Sequence, residues 1–289
     1  MSRRRRLGLP AILWMAWGAV PGALTAQVKV VGGLKAPESV GIGPDGRVYV
    51  SETGVYEKFG DGMIMVIDGD RAKPFATGLN DPHGIKWWRD HLFVADNGGQ
   101  VWRIDRKGNV ERLVDATDFP RKVTNFNDIE LDDQGNIYIS DSGDWEGRGG
   151  VIFKITQQGK VTTVLSDEEE WKLVSPNGLL MEGQDKILEV DYTTGNLFRL
   201  DLKSKEYEKI NGRFGAADGL TRDARGRLYV SDYSGHKVFI LDSPDAKNRQ
   251  EVEVSGAKSA ADIGISPDGR FIIVPDMDGG QVLFVPVPK

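Results

Sequence analysis

Short apolar runs separated by tight turns make up the chain from residue 28 onward. Runs such as 48–51, 137–140 and 228–231 are rich in β-branched and aromatic residues, which favour strands. Turn sequences such as 44–47 and 267–270, both Pro-Asp-Gly-Arg, lie directly before strand-like runs and are typical of hairpins. The apolar positions do not follow the 3.6-residue period of a helix. The pattern therefore predicts an all-β protein.

One position recurs six times at intervals of about 40–50 residues, which is the length of a repeat with four strands. Each time it stands before an apolar step, a turn and a strand-like run that ends in an acidic residue. Such a unit is typical of a propeller blade, so we predict a six-bladed β-propeller. The residues at the repeated position are Glu38, His83, Asn127, Asn177, Asp218 and Ala261.

The N-terminal strand is predicted to close the propeller. Residues 28–32 alternate in character but have no neighbouring strand to pair with. Five comparable runs each precede one of the repeated positions, so this segment is the sixth outer strand. We expect it to complete the last blade and thereby remove an open sheet edge.

The repeated position is expected to form a ring. Successive antiparallel strands return to the same face, and the first strand of each blade lies nearest the propeller axis. Residues that are far apart in sequence therefore meet at one mouth of the central tunnel. A structural repeat alone gives no reason for five of these six residues to be Glu, His, Asn, Asn and Asp.

Four members of the ring carry oxygen ligands: Glu38, Asn127, Asn177 and Asp218. Carboxylate and amide oxygens suit hard divalent cations, calcium first. Magnesium, manganese and zinc remain open alternatives. An Asn before Gly or Asp also favours a tight turn, so each Asn taken singly could be structural. His83 has the chemistry to contact substrate or relay a proton.

A second repeated feature is interpreted as structural. An acidic residue ends the second strand in all six repeats, which argues against a specific catalytic role and for acceptance of turn N–H groups. These residues are Glu52, Asp96, Asp141, Asp191, Asp232 and Asp276.

The motifs resemble those of the gluconolactonase and senescence-marker-protein (regucalcin) family, whose relatives include paraoxonase and diisopropyl fluorophosphatase. The matching motifs are Pro-Glu-Ser (37–39), Phe-Asn-Asp (126–128), Pro-Asn-Gly-Leu (176–179) and Ala-Asp-Gly-Leu (217–220), in the blades where the family has them. The resemblance implies a catalytic divalent metal held by Glu38, Asn177 and Asp218, with Asn127 as ligand or substrate contact. It also implies hydrolysis of lactones or related esters.

One departure from the family bears on the substrate. Sugar-lactone members commonly carry Arg two residues before the Asn of the third-blade motif, where this chain has Asn125. Without that guanidinium, an aldonolactone is a doubtful substrate. We expect other contacts from the loop 141–150, with Trp145 and Arg148 as candidates.

The N-terminus has the pattern of an export signal. Arg3 to Arg6 form a basic region, 7–24 is apolar, and Thr25-Ala26-Gln27 is a plausible cleavage point. We predict a signal peptide over 1–26, a propeller domain over 27–289 and a periplasmic or secreted location. An uncleaved membrane anchor is the alternative.

Charge and cysteine content exclude several classes of function. Without residues 1–26 the balance is 33 basic against 43 acidic residues, which disfavours a nucleic-acid partner. The chain has no Cys, so disulfides, thiolate metal sites and Cys nucleophiles are impossible.

The expected function is metal-dependent hydrolysis of a small-molecule lactone or ester by a monomeric, exported protein with no membrane contact after cleavage. A bound water would attack the polarised carbonyl, with Asp218 as first choice of general base, Glu38 next and His83 as relay. Two alternatives stay open: a non-catalytic propeller that binds a protein or cell-envelope partner, and a phosphoester hydrolase at the same metal site.

Overall fold

The computed structural model describes residues 28–144 and 146–288, and these form six four-stranded antiparallel sheets around a central axis. The prediction of an all-β, six-bladed propeller is confirmed. Among the described residues the helical content is one short 3-10 turn, Ala116–Asp118. In the same part of the chain, no helix is long and apolar enough to cross a membrane.

The first three blades follow the predicted order of inner to outer strand. Blade 1 comprises β2 (Pro37–Ile42), β3 (Val48–Glu52), β4 (Gly62–Asp68) and β5 (Arg71–Leu79). Blade 2 comprises β6 (Pro82–Trp88), β7 (His91–Asp96), β8 (Gln100–Asp105) and β9 (Val110–Val114). Blade 3 comprises β10 (Phe126–Leu131), β11 (Ile137–Asp141), β12 (Val151–Ile155) and β13 (Val161–Ser166).

Blades 4 and 5 repeat the same order, and blade 6 draws on both ends of the chain. Blade 4 comprises β14 (Pro176–Glu182), β15 (Lys186–Asp191), β16 (Asn196–Asp201) and β17 (Tyr207–Gly212). Blade 5 comprises β18 (Ala217–Arg222), β19 (Leu228–Asp232), β20 (Lys237–Leu241) and β21 (Gln250–Glu253). Blade 6 comprises β22 (Gly264–Ile265), β23 (Phe271–Asp276), β24 (Gln281–Pro286) and β1 (Lys29–Gly32).

The N-terminal strand closes the ring as predicted. β1 pairs antiparallel with β24, and its register places Val31 opposite Val282. Val31 is fully buried. Residues from the start and the end of the chain thus share one sheet, and blade 6 gains the outer strand that it would otherwise lack.

The hydrophobic core is divided into six clusters, one between each pair of adjacent blades. The cluster between blades 2 and 3, for example, joins Val101 of β8 to Phe126 of β10 and Phe153 of β12. The cluster between blades 6 and 1 includes Val31 and Val282. Burial of apolar area between blades, at about 25 cal/mol per Å², is the main stabilising term in a chain without disulfides.

Candidate functional site

The repeated position lies second in the first strand of five blades. Glu38, His83, Asn127, Asn177 and Asp218 are the second residues of β2, β6, β10, β14 and β18. Ala261 precedes β22 in the sixth blade. We call these six residues the mouth ring. The equivalence that the sequence predicts is therefore present in the backbone.

A β-bulge accompanies each of the five. The pairing of first with second strand shifts register between residues 37 and 40, 82 and 85, 126 and 129, 176 and 179, and 217 and 220. A bulge leaves an N–H without a ladder partner and redirects a side chain. In blade 1 the hydroxyl of Ser51 accepts the freed N–H of Ser39 at 2.8 Å, and in blade 5 that of Ser231 accepts from Gly219 at 2.8 Å.

Glycines after the ring residues allow the inner strands to approach closely. A Cβ at Gly178 would lie 2.4 Å from the Asp218 carbonyl oxygen, and one at Gly219 would lie 2.3 Å from Oδ1 of Asp262. Asn177-Gly178 and Asp218-Gly219 therefore lie inside strands, although such pairs are common in turns. A larger residue in place of either glycine would clash with the neighbouring blade.

Five of the six mouth-ring residues line one cavity of about 340 Å³. Glu38, His83, Asn127, Asn177 and Asp218 all contribute to its surface, as does Asn125. Asp218 and Asn177 are 4% and 3% exposed. Side chains separated by up to 180 residues in sequence are therefore gathered at one buried spot.

Each of the four candidate ligands leaves one buried oxygen without a hydrogen-bond partner. These are Oε2 of Glu38, Oδ1 of Asn127, Oδ1 of Asn177 and Oδ1 of Asp218. A buried polar atom without a partner costs about 1–3 kcal/mol, so proteins rarely leave several in one place without a ligand. The four oxygens fit a hard divalent cation in kind and in number, with room for water or substrate.

The acidity of the site supports the same interpretation. Burial, together with nearby Asp218, raises the pKa of the Glu38 carboxyl well above its ordinary value. Burial also raises the pKa of Asp218 to about 7, although the Asn177 amide lowers it by hydrogen bonding. A cation among these oxygens would favour both carboxylates. Within residues 28–144 and 146–288, no group of three His, Asp or Glu side chains could hold a metal ion. A metal site at the mouth therefore depends on the amides of Asn127 and Asn177 as well.

His83 is neutral in this setting. Burial lowers the pKa of its imidazole to about 4, against the opposing effect of Asp96. Neither ring nitrogen is within hydrogen-bond distance and angle of a partner among the described residues, although the nearby Phe126 backbone favours the protonated ring and raises its pKa against the effect of burial. The ring can therefore offer one N–H and one lone pair to a molecule in the cavity.

The other sequence-predicted contacts fall into three places. Asn125 is 6% exposed and lines the cavity. Arg148 lies on the exposed rim, where its Nε donates to Asp144 at 3.1 Å and its guanidinium also pairs with Glu146. Asp144 itself is part of the lining. Trp145 lies outside the described residues, as do residues 1–27, which contain the predicted signal peptide.

Five of the six acids at the ends of the second strands have the predicted structural role; Glu52 makes no such bond within the residues that the structure describes. In five blades the carboxylate accepts backbone N–H groups, as Asp141 does from Thr124, Asn125 and Gly143 at 2.8–3.0 Å. The donors lie both before the first strand and in the following turn. The same pattern holds for Asp96, Asp191, Asp232 and Asp276.

A second set of cavity residues comes directly after these acids, and sequence reasoning missed all of it except Ser142, which belongs to the predicted loop 141–150. Ser142, Tyr192, Tyr233 and Met277 follow Asp141, Asp191, Asp232 and Asp276, and all four line the cavity. The repeat contained the signal, because every residue after a strand-ending acid occupies an equivalent place at the mouth. We call the set formed by Thr53, Asn97, Ser142, Tyr192, Tyr233 and Met277 the wall ring.

The wall ring is held by the backbone. The N–H of Tyr192 donates to the Ser175 carbonyl at 3.0 Å, and that of Tyr233 donates to Ala216 at 2.9 Å. The equivalent bonds in blades 1, 2 and 3 start from Thr53, Asn97 and Ser142. The wall is thus fixed by the same ladder that places the mouth ring.

Comparison with known proteins identifies a family match. The family model described as the SMP-30/Gluconolactonase/LRE-like region matches residues 88–263. This stretch contains Asn127, Asn177 and Asp218, whereas Glu38 and His83 precede it.

Individual relatives are distant but cover most of the chain. A protein of Arabidopsis thaliana named Strictosidine synthase-like 3 is 22% identical, over 89% of this chain and 78% of its own length. A gluconolactonase from Xanthomonas campestris has a similar fold, with a TM-score of 0.73 at 13% identity over 91% of each chain. A protein of Agrobacterium tumefaciens described as calcium-binding regucalcin matches with a TM-score of 0.65 at 18% identity, over 87% of this chain and 90% of that one. At 13% and 18% identity, the similarity to these structures shows the fold alone.

Proposed function

The chain belongs to the SMP-30/gluconolactonase/LRE-like family, and from this premise we propose that it is a divalent-metal-dependent hydrolase of lactones or related esters. Calcium is the proposed metal. The proposed ligands are Glu38, Asn127, Asn177 and Asp218, with His83 and Asn125 beside the substrate. Trp145 and Arg148 stay proposed as contacts from the rim.

The observation that carries the proposal is the convergence of four unpartnered oxygens in one cavity. Glu38, Asn127, Asn177 and Asp218 each leave one buried side-chain oxygen without a hydrogen-bond partner. A propeller that served only as a binding platform would have no need to maintain this cost at four equivalent positions. The structurally similar Agrobacterium tumefaciens protein is described as calcium-binding, which is consistent with a calcium site formed by these four oxygens.

A divalent cation held by these oxygens would polarise the substrate carbonyl and lower the pKa of a neighbouring water. The residues of the chain supply orientation and proton transfer. Asp218 accepts the proton of the attacking water, with Glu38 as the alternative base. The new bond joins the water oxygen to the carbonyl carbon, the ring C–O bond breaks, and the leaving alkoxide takes a proton. The product is a hydroxy acid.

His83 and Asn125 act on the substrate side of the cavity. The neutral imidazole of His83 can donate its N–H to the leaving oxygen and recover a proton through its second nitrogen. Its pKa of about 4 makes His83 a weak base near pH 7, so the relay is the role that fits it. Asn125 offers an amide for orientation of the ring.

Thermal unfolding tests the metal site first. We expect calcium added after chelation to stabilise the purified protein by about 2.7 kcal/mol at a hundredfold excess over Kd. Asp218→Ala should abolish the shift, whereas Asp45→Ala, at an exposed carboxylate in the turn between β2 and β3, should keep it. No shift with calcium, magnesium, manganese or zinc would reject the proposal and favour a non-catalytic platform.

Substrate trials test the reaction. Lactones, carboxylic esters and phosphoesters should be offered to the calcium-loaded protein, with Asp218→Ala as the matched blank. We expect ring opening of lactones, measured as acid release. Hydrolysis of phosphoesters alone would replace the proposed reaction by the phosphoester alternative at the same site.

Export is part of the proposal and rests on residues 1–26. Fractionation of cells that express the full chain, followed by N-terminal sequencing of the protein, should find a form that starts near Gln27 outside the cytoplasm. A full-length product in the membrane fraction would favour the anchor instead.

A further inference from the structure

Resting on the proposed function, we propose that the substrate is an uncharged lactone or ester whose apolar alkyl or aryl group packs against Tyr192, Tyr233 and Met277. The wall ring carries this inference, since it divides the cavity into two unlike halves. Blades 4, 5 and 6 present the two tyrosines and the methionine. Blade 3 presents Ser142, with Asp144 and Ser175 nearby.

The apolar half is built of rings that are already in contact with one another. Tyr192 and Tyr233 pack edge to face, with ring centroids 6.2 Å apart and planes at 62°. Burial, and then the charge of Asp218, raises the pKa of Tyr192, so its phenol stays neutral. Aromatic faces and a flexible thioether suit an apolar group of variable shape.

The polar half has little hydrogen-bonding capacity left for a ligand. The hydroxyl of Ser142 donates to the Pro176 carbonyl at 2.8 Å, and that of Ser175 donates to the Ser142 carbonyl at 3.3 Å. Asp144 accepts from two backbone N–H groups and from Arg148. A polyhydroxylated sugar ring would find no free hydroxyl donor on Ser142 or Ser175, and each sugar hydroxyl left without a partner weakens binding.

The charges of the lining also disfavour an anionic substrate. The ionisable acids in it are Glu38, Asp144 and Asp218, and none of the described lining residues is Lys or Arg. A substrate carboxylate or phosphate inside the cavity would find no cationic side chain in the lining to pair with. The part of the substrate that faces the wall is therefore neutral.

The apolar surface continues from the cavity to the rim. Tyr56 lines the cavity yet is 47% exposed, and it belongs to the loop between β3 and β4. The same loop exposes Val55 and Phe59, at 55% and 72%. An alkyl or aryl group longer than the cavity would thus meet further apolar side chains at the rim instead of open water.

A matched pair of lactones tests this inference. Glucono-δ-lactone and δ-decalactone share the six-membered ring and differ in substituents, hydroxyls in one and an alkyl chain in the other. We expect kcat/KM for δ-decalactone to exceed that for glucono-δ-lactone by at least about tenfold, since single apolar contacts give discrimination of roughly 10–200-fold. Faster hydrolysis of glucono-δ-lactone would overturn the inference and leave the proposed function standing.

Two variants test whether the preference for δ-decalactone comes from the wall ring. Tyr192→Ser should lower kcat/KM for δ-decalactone about tenfold or more and change that for glucono-δ-lactone far less. Trp171→Ser removes an aromatic side chain that is 80% exposed and outside the cavity lining, so both substrates should react as before. An equal loss for both lactones in Tyr192→Ser would contradict a selective apolar wall. Retention of the calcium-induced melting shift shows that this variant has folded.

If no lactone is hydrolysed, a binding measurement still tests the apolar wall separately from the proposed hydrolase function. That result rejects the proposed function, and the wall is then tested with the non-hydrolysable δ-lactam analogues of the two compounds by calorimetry. At least about tenfold tighter binding of the alkyl lactam supports the apolar wall, by the same discrimination. Equal binding, or no binding of either lactam, overturns it.

Discussion

The central tunnel contains two sets of buried carboxylates, and they are satisfied in opposite ways. At the mouth, Glu38 and Asp218 each retain an oxygen without a partner. Beyond them lies a set that we call the tunnel cluster, formed by Ser39, Lys86, Asp128, Glu130 and Asp262, in which every carboxylate has partners from the chain itself. Burial of acidic groups alone therefore does not identify a binding site.

The tunnel cluster supplies its own donors and its own cation. Asp128 accepts the N–H groups of Leu179 and Ile129, each at 2.6 Å. Asp262 accepts the hydroxyl of Ser39 at 2.5 Å. The Lys86 ammonium lies 2.8 Å from Glu130, which is 4% exposed. The mouth ring has no equivalent of Lys86, and this difference is what the predictions below test.

An Asp→Asn substitution should have opposite consequences in the mouth ring and in the tunnel cluster. Asp218→Asn at the mouth should lower kcat about 10³-fold, because a preorganised charge at the reacting centre is lost. Its stability without calcium should not fall, because the variant removes a buried charge that has no cation. Asp128→Asn should instead lower stability, since an amide nitrogen would face one of two backbone donors. Kinetics and denaturant unfolding of both variants measure this. Equal effects at both ends would remove the distinction.

Removal of the internal cation should destabilise the fold. Lys86→Met leaves Glu130 buried without its partner, and we expect a loss of about 3 kcal/mol, the low end for a broken buried pair because Lys86 keeps some solvent contact. Lys73→Ala breaks the pair of Lys73 with Asp68, in which both side chains are 61% exposed, and should cost less than about 1 kcal/mol. Urea unfolding compares them, and a loss as small as that of the surface pair would show that the tunnel cluster needs no cation.

Calcium stabilisation should grow with pH. The pKa of Asp218 is raised to about 7 in the folded protein without a cation, against about 3.9 in the unfolded chain. Between these values the folded state binds more protons, so the stability of the calcium-free protein falls as pH rises through this range. Calcium competes with that proton. The melting shift should therefore be larger at pH 8 than at pH 5, and should reach about 2.7 kcal/mol at a hundredfold excess of calcium over Kd. A shift that is independent of pH would exclude Asp218 as a ligand.

Glu189 sharpens the comparison because it has one unpartnered oxygen but does not line the mouth cavity. Its Oε2 accepts the Tyr207 hydroxyl at 2.5 Å, while Oε1 is buried without a partner. Burial, and then Asp191, raises its pKa well above the ordinary value. Wild-type stability should thus fall as pH rises from about 4.3 towards that raised pKa.

Glu189→Gln should remove the part of this pH dependence that Glu189 contributes, a change of about 1 kcal/mol, the usual size for a buried hydrogen-bonding group, and leave the part due to Asp218. The calcium-induced shift should persist. The measurement is the melting temperature at several pH values with and without calcium. Loss of the calcium response in Glu189→Gln would mean that the carboxylate belongs to the mouth.

The sequence was sufficient for the features that repeat. The six-fold recurrence predicted the blades, the closing strand, the mouth ring and the structural acids, because each is a property of position within a repeat. The pairing of Lys86 with Glu130 could not be predicted, since it joins the first strands of two adjacent blades and occurs once. The wall was missed for a different reason: Tyr192 and Tyr233 stand where other blades have Thr53 and Asn97, so their shared place is hidden by dissimilar chemistry.

The pairing of β1 with β24 also sets the order of events in folding. Val31 is among the first residues of the domain to be made, yet its partner Val282 is among the last. Bringing the two together closes a loop of roughly 250 residues, at an entropic cost of about 5 kcal/mol. Until blade 6 has been synthesised, β1 has no partner strand and the apolar faces of blades 1 and 5 are uncovered, so both can associate with other chains. The domain therefore cannot finish folding before its final strand has been made. A chaperone that protects β1 until then would increase the yield of folded protein.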